Sequence, residues 1–330
     1  MSETVTGLTT ERVGPEAAAD VLAIVRAAFG ERPAMNPPAD ALAETEESIA
    51  AKLTGLGGLI ARLDGRPVGA LILDPVGKTV YIRRFSVLPG EQGHGIARAM
   101  VDRVAAAAGD RFADITVIAR EEVPRNLLFW DRQGFRETGR RSPYVEMRRP
   151  LQTHVATVET AEATQALGRR LASVLRAGDL LVLSGDLGAG KTTFTQGLAD
   201  GLGVRGPITS PTFVIARVHP SLLPEGTGPA LVHVDAYRLG GATELDDLDL
   251  DTDLDEAVTV VEWGTGVAEG LSDARLEVSL VRALTVEDLS ESDLADGIDP
   301  RRVEITPVGP RWHDVDWATI TGVGSDAAEL

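Results

Sequence analysis

Residues 185–192 read Gly-Asp-Leu-Gly-Ala-Gly-Lys-Thr, the spacing G-x-x-x-x-G-K-[ST] of a loop that cradles phosphates. Gly185, Gly188 and Gly190 let the backbone turn tightly and bring its N–H groups against phosphate oxygens. Lys191 supplies a point charge for the β- and γ-phosphates, and the Thr192 hydroxyl is placed to ligate Mg²⁺. Asp186, Leu187, Ala189 and Thr193 complete the contact stretch. The flanks agree with this reading. Residues 179–183 form a short apolar run suited to a buried parallel strand, and Phe194, Leu198 and Leu202 then recur at helical spacing. A helix N-terminus would thus aim its partial positive charge at the anion. A glycine-rich turn between a strand and a helix is the plainer alternative.

Two carboxylates close apolar runs further on, in His233-Val234-Asp235 and Val260-Val261-Glu262. In open α/β sheets the ligand sits at the carboxyl ends of the strands. Asp235 and Glu262 are therefore candidates to hold Mg²⁺ or its waters and to orient an attacking water; a helix cap or a surface ion pair is the alternative for each. Ser210-Pro211-Thr212-Phe213 lies between the loop and Asp235. The Ser210 and Thr212 hydroxyls could sense a terminal phosphate, as switch segments do; alone the segment reads as a Ser-Pro turn. Neither Lys52 nor Lys78 stands in the N/T-K-x-D pattern that reads guanine, so ATP is favoured.

A second candidate site precedes these. Val87-Leu88-Pro89 leads into Gln92-Gly93-His94-Gly95-Ile96-Ala97, which fits (Q/R)-x-x-G-x-(G/A) between a strand and a helix. Successive N–H groups at such a helix start can hold a pyrophosphate, although a glycine-rich helix start with no ligand has the same look. His94 reads more readily as a loop residue than as a base.

These residues must be placed by ordered elements, and the chain is long enough for two cores: 330 residues, 43% hydrophobic and 25% charged. The absence of cysteine excludes disulfides, thiolate metal sites and Cys nucleophiles. A net charge of −18 repels phosphate backbones and argues against broad nucleic-acid binding. No apolar run approaches a membrane span and no secretory signal is visible, so a cytoplasmic protein is expected. Two α/β domains are expected, 1–150 and 151–330. In the first, apolar periodicity predicts helices over 15–29 and around 39–53, strands at 58–62 and 68–73 about an Asp64-Gly65 turn, a strand at 80–87, a helix at 95–108, a strand at 115–119, a helix at 127–133 and a strand at 144–147. Residues 148–158 show no clear period and read as the joint. In the second, a helix is expected after Thr160 as N-cap, carrying Leu167, Leu171, Val174 and Leu175. Strands are expected at 230–234 and 258–261, with a terminal pair at 275–281 and 302–306 and an exposed acidic loop at 285–300 between them. Residues 221–229 read as a Pro/Gly-rich loop. Residues 244–256 interleave acidic residues with leucines, a solvated amphipathic segment or a docking surface.

The second half resembles the TsaE family, the ATPase subunit of bacterial tRNA threonylcarbamoyladenosine synthesis, in four motifs taken in order: 185–193, Ser-Pro-Thr-Phe at 210–213, His-Val-Asp-Ala-Tyr-Arg-Leu at 233–239 and Val-Glu-Trp at 261–263. The resemblance spans about 153–310. It implies a P-loop NTPase-type fold that binds ATP and Mg²⁺, works with TsaB- and TsaD-type partners and meets tRNA through them. It implies Asp235 as activator of water, Glu262 as a metal or catalytic carboxylate, and Trp263 packed near the site. Ala236 stands where the family often has Leu.

The first half, about 8–149, resembles GNAT acetyltransferases through the 92–97 loop and Asn126-Leu-Leu-Phe-Trp-Asp-Arg-Gln-Gly-Phe135. That implies a mixed α/β sheet, acetyl-CoA held by Val87, Gln92, Gly93, His94, Gly95, Ile96, Ala97 and Asn126, and an amine acceptor. Trp130 replaces the Tyr that commonly serves as general acid, and indole N–H is no useful acid near neutral pH. Tyr144 or a water could substitute. Two other readings stay open: a first half that binds acyl-CoA without turnover, and a second half that is a P-loop small-molecule kinase.

Overall fold

In the computed structural model, which describes residues 6–32, 35–109, 111–211, 216–224, 228–238, 255–282 and 300–322, the chain divides into two units, Met1–Leu151 and Gln152–Leu330. Each is built on its own seven-stranded sheet. Among the described residues no helix is long and apolar enough to cross a membrane.

The first unit runs β1 (Leu8–Val13), α1 (Ala18–Gly30), α2 (Glu46–Leu53), β2 (Gly58–Leu63), β3 (Arg66–Val76), β4 (Thr79–Val87), α3 (Ile96–Ala108), β5 (Asp114–Arg120), α4 (Pro124–Arg132), β6 (Arg136–Arg141) and β7 (Tyr144–Pro150). The sheet order is β1-β2-β3-β4-β5-β7-β6. Alternation along the strands sends Ile60, Ala70 and Ile72 to one face, against α1 and α2. Leu59, Ala61, Leu71 and Leu73 go to the other face, against α3 and α4. Among the described strands of this unit only β4 and β5 run parallel, and their pairing stops at Tyr81 opposite Thr116. Both strands continue past that point, so they part and leave a cleft.

The second unit runs β8 (His154–Val158), α5 (Ala161–Ala172), β9 (Leu180–Ser184), α6 (Lys191–Leu202), β10 (Ala216–His219), β11 (Ala230–Asp235), β12 (Ala257–Glu262), β13 (Arg275–Arg282), β14 (Arg301–Val308) and α7 (Trp317–Thr321). The sheet order is β10-β11-β12-β9-β13-β14-β8. The central four strands, β11, β12, β9 and β13, are parallel. The flanking pairs are antiparallel. Leu231, Val258 and Val260 pack with Phe194, Leu198 and Leu202 of α6 and Leu167 and Leu171 of α5. Val232, Val234 and Val261 form the core of the opposite face.

The structure corrects several expectations. The helix around 39–53 is a short 3₁₀ turn at Asp40–Ala43 followed by α2, which starts only at Glu46. Thr45 stops it: the Thr45 and Ser48 side chains form a reciprocal capping box that fixes an extended residue there. The stretch 148–158, expected to be irregular, lies largely in β7 and β8, because β8 gains its ladder from β14, about 150 residues away in sequence. Strands β1, β6 and β10 were not foreseen; each is polar-rich and sits at or next to a sheet edge. Helix α5 ends at Ala172, before Val174 and Leu175. The acidic segment 244–256 falls outside the described residues except for its last two, and the acidic loop 285–300 except for Pro300.

Helices α5 and α6 cross at backbone contact. A Cβ on Gly197 would lie 2.1 Å from the Gln165 carbonyl oxygen, and one on Gly168 would lie 2.6 Å from the Phe194 carbonyl oxygen. Neither atom can swing away without moving a helix. Gly197→Ala is therefore expected to destabilise the second unit by about 1–3 kcal/mol, despite alanine's better helix propensity, and thermal unfolding followed by circular dichroism should show a lowered midpoint. An unchanged or raised midpoint would mean that the helices separate at no cost.

Candidate functional site

In the second unit, β9 delivers the chain into the 185–190 loop and α6 begins at Lys191. Gly190 precedes the helix with φ 103° and no side-chain cap. That left-handed conformation suits glycine, and it leaves the first-turn N–H groups of α6 without intrahelical acceptors. Lys191 is folded onto its own loop: Nζ donates to the Gly185 carbonyl at 2.7 Å and the Asp186 carbonyl at 3.0 Å. The same ammonium lies 3.8 Å from the Trp263 ring centroid, a cation–π contact. Burial pushes its pKa down, opposed by the charges of Glu262, Asp235 and Asp186.

The parallel register brings the two carboxylates together. Asp235 pairs with Glu262 across β11 and β12, and Glu262 pairs with Leu183 of β9. The three strands thus finish level beside the loop. Thr192 Oγ1 donates to Glu262 Oε1 at 2.9 Å, with Oε2 at 3.2 Å. Asp235 accepts from Ser210 Oγ at 2.9 Å and from the Tyr237 backbone N–H at 3.0 Å. The two carboxylates are both buried and differently engaged, Glu262 with the loop helix and Asp235 with the 210 segment. Thr212 lies outside the described residues. Leu187 points outward, 89% exposed. Thr193 is half-buried, next to Thr192 in the first turn of α6.

Two further residues act at this site through contacts that the sequence reading assigned to neither. His233 donates from Nε2 to Glu262 Oε1 at 2.8 Å from a fully buried position. Arg301, at the start of β14, donates from Nε to the Ala189 carbonyl at 3.0 Å and from Nη2 to the Gly188 carbonyl at 3.4 Å. It braces the loop from more than 110 residues away, a contact that exists only once the sheet has formed.

In the first unit the parting of β4 and β5 opens a cleft of about 790 Å³. Val87, Gln92, Gly93, Gly95, Ile96, Ala97 and Asn126 line it; His94 is not among the lining residues, and its Nδ1 instead approaches the Glu91 carbonyl at 3.3 Å. Helix α3 starts as α6 does, after a left-handed glycine (Gly95, φ 76°) with no side-chain cap, so its open N–H groups face the cleft. Trp130 is buried, with Phe85, Phe129 and Phe135 each at a centroid distance of 4.9 Å. It serves as an aromatic wall of the cleft and offers no hydroxyl. Of the chain's three tyrosines only Tyr144 lines the cleft, under the Arg120 guanidinium at 5.0 Å.

At their paired ends β4 and β5 are joined by a buried polar cluster. Asp114 accepts from Thr79 at 3.2 Å, Thr116 at 2.9 Å and Arg148 at 3.0 Å. At the open end, β4 bulges between Arg83 and Ser86, with Arg84 at φ 53°. Glu44, just before α2, holds that bulge: Oε1 accepts from Arg84 Nε at 2.7 Å, and Lys52 and Ser48 also donate to the carboxylate.

A family model described as threonylcarbamoyl adenosine biosynthesis protein TsaE matches residues 158–288. The Streptomyces coelicolor tRNA threonylcarbamoyladenosine biosynthesis protein TsaE is 57% identical over 157 residues, which are 47% of this chain and 98% of that protein. The chain belongs to the TsaE family. TsaE of Mycobacterium tuberculosis is 56% identical over 133 residues, 38% of this chain and 78% of that protein. The TsaE portion is joined to a second family domain, since a model described as the acetyltransferase (GNAT) family matches residues 22–135. A crystal structure of the PaiA N-acetyltransferase from Thermoplasma acidophilum with coenzyme A is 10% identical, covering 43% of this chain and 98% of that one, with a TM-score of 0.40.

This fusion of GNAT and TsaE domains should show an acid-labile contact in its first unit, where Glu44 holds the β4 bulge. Burial opposes the charge on Glu44, but the contacts from Lys52, Ser48 and Arg84 overcome it and hold the carboxyl down from 4.5 to about 2. A depressed carboxylate stabilises the fold fully above its unfolded value and loses that contribution as pH falls from about 4.5 through about 2. Glu44→Gln is expected to cost about 3 kcal/mol near neutral pH, because it leaves Arg84 facing no charge. It should also flatten the acid dependence of stability over that window. Urea titrations of both proteins at several pH values check this; parallel pH profiles would refute it.

Proposed function

We propose that the second unit, residues 152–330, binds and hydrolyses ATP with Mg²⁺ in tRNA threonylcarbamoyladenosine biosynthesis, working with TsaB- and TsaD-type partners and reaching tRNA through them. The observation that carries this reading is Thr192 in contact with Glu262, with Asp235 beside it on the neighbouring strand. The donor set suits Mg²⁺: a hydroxyl and two carboxylates are hard oxygen ligands, and this ion takes its remaining ligands from substrate phosphates and water. When bound, Mg²⁺ would neutralise charge developing on the phosphates.

The protein's own groups divide the remaining work. Lys191 exchanges its two loop carbonyls for β- and γ-phosphate oxygens. The open N–H groups of the loop and α6 receive the other phosphate oxygens. Thr192 and Glu262 hold the metal side. Asp235, oriented by Ser210 and the Tyr237 N–H, accepts the proton of the water that attacks the γ-phosphorus.

For the first unit, residues 1–151, we propose transfer of an acetyl group from acetyl-CoA to an amine. The N–H groups at the start of α3 would hold the cofactor's pyrophosphate, and the gap between β4 and β5 would leave room for its thioester arm. The neutral amine attacks the thioester carbonyl, a C–N bond forms as the C–S bond breaks, the Tyr144 hydroxyl protonates the departing thiolate, and the proton lost by the amine nitrogen restores Tyr144 by way of solvent. A cleft that binds acyl-CoA without turnover is the second reading, favoured by Trp130 being spent in the aromatic core.

ATP hydrolysis by the full chain should rise when TsaB- and TsaD-type partners and tRNA are added, and Lys191→Ala should remove about 10²–10³-fold of the rate. Intact ATP binding with no partner effect would overturn the partner assignment. In the first unit, thiol release from acetyl-CoA across an amine panel should fall about 10²-fold or more in Tyr144→Phe, with acetyl-CoA affinity unchanged. Binding with no thiol release from any amine would establish the second reading instead.

A further inference from the structure

His233 belongs to the His-Val-Asp stretch, yet neither the phosphate loop nor the hydrolytic step described above uses it. Leu231, His233 and Asp235 alternate onto the face of β11 that meets α6, and Val258, Val260 and Glu262 onto the same face of β12. The register sets Asp235 opposite Glu262 and His233 opposite Val260. His233 therefore lies one pleat behind the carboxylate, and from there Nε2 reaches Glu262 Oε1 at 2.8 Å. A carboxylate only accepts, so Nε2 carries the proton. Nδ1 is left buried without a hydrogen-bond partner.

That unsatisfied nitrogen decides between two roles. Leu231, Val258 and Val260 surround this level of the sheet with aliphatic side chains, and a leucine at 233 would fill the space with no polar atom unpaired. Stability alone does not favour a ring whose far nitrogen pairs with nothing. What the imidazole supplies, and an aliphatic side chain cannot, is one N–H directed at Oε1.

We propose that His233 is a positioning residue for Glu262: its Nε2–H fixes the carboxylate so that both oxygens stay against Thr192, in the orientation that the divalent cation of a bound nucleotide requires. This inference rests on the reading of the site as one for Mg²⁺ and ATP. His233 touches neither the nucleotide nor the reacting atoms; it acts through Glu262. Loss of a group that orients a metal ligand typically costs 10–100-fold in metal affinity. The effect should fall on the cation and spare the nucleotide's other contacts, which the loop, Lys191 and α6 provide.

The test uses the full chain, with Mn²⁺ as a spectroscopic substitute for Mg²⁺ and a non-hydrolysable ATP analogue. His233→Leu should weaken Mn²⁺ binding to the analogue-saturated protein by about 10-fold or more, while analogue affinity in EDTA stays within about twofold. His233→Gln, which keeps an N–H donor, should recover most of the metal affinity. Unchanged Mn²⁺ affinity in His233→Leu, or equal weakening in EDTA, would overturn the proposal while leaving the nucleotide reading intact. Wild-type protein that binds no nucleotide would overturn both. Should His233→Leu fail to fold, the wild-type imidazole N–H resonance decides: it should shift on adding the analogue with Mg²⁺ and not with the analogue in EDTA, and any other pattern counts against the role.

Discussion

The parallel register of β11, β12 and β9 is the constraint on which the second unit's chemistry depends. It ends three strands at one level, so that Asp235, Glu262 and the turn into the phosphate loop arrive side by side. A slip of one residue in that register would turn Glu262 or Asp235 to the opposite face of the sheet. The register is held by apolar packing on both faces: Leu231, Val258 and Val260 against α5 and α6, and Val232, Val234 and Val261 in the core behind. The close crossing of α5 and α6 at Gly168 and Gly197 fixes the height of α6, and with it the direction of Lys191 and Thr192.

The first unit solves the same problem with one parallel pair in an otherwise antiparallel sheet. The buried Asp114, Thr79, Thr116 and Arg148 cluster ties β4 to β5 at one end. The bulge at Arg84, held by Glu44, bends β4 away at the other. The cleft follows from strands that are paired at the bottom and free at the top. In both units a helix begins at the rim after a left-handed glycine, Gly95 or Gly190, with no side chain occupying its N–H groups. An uncapped start is a cost in an ordinary helix and an anion site in these two. It also concentrates positive potential locally in a chain whose net charge is −18.

How much of this was legible in the residues depends on how local the cause was. The octet at 185–192 specifies its own turn, because glycine spacing and the neighbouring apolar runs act within a dozen residues. The strands at 58–63, 79–87, 114–120, 230–235 and 257–262 were readable for the same reason: apolar runs bounded by turn residues. The helix around 39–53 misled, since its composition suits a helix throughout, while the capping box at Thr45 and the demand of Glu44 for Arg84 are stronger than propensity. Strands β1, β6, β8 and β10 were hidden because each takes its ladder from a partner whose position only the finished sheet defines.

By itself the sequence determined the two α/β halves, the phosphate loop and the residue types at each site, because local spacing and side-chain chemistry suffice for those. Only the tertiary structure decided the division between the carboxylates, with Glu262 turned to Thr192 and Asp235 to Ser210. It also decided that Arg301 braces the loop, that His233 stands behind Glu262, and that Trp130 is an aromatic wall while Tyr144 keeps its place in the cleft. The physical reason is one of distance along the chain. The hydrogen bonds among these contacts join residues 25 to 112 positions apart through strand register and face, and no pattern within a single segment encodes which side chains will meet across a sheet.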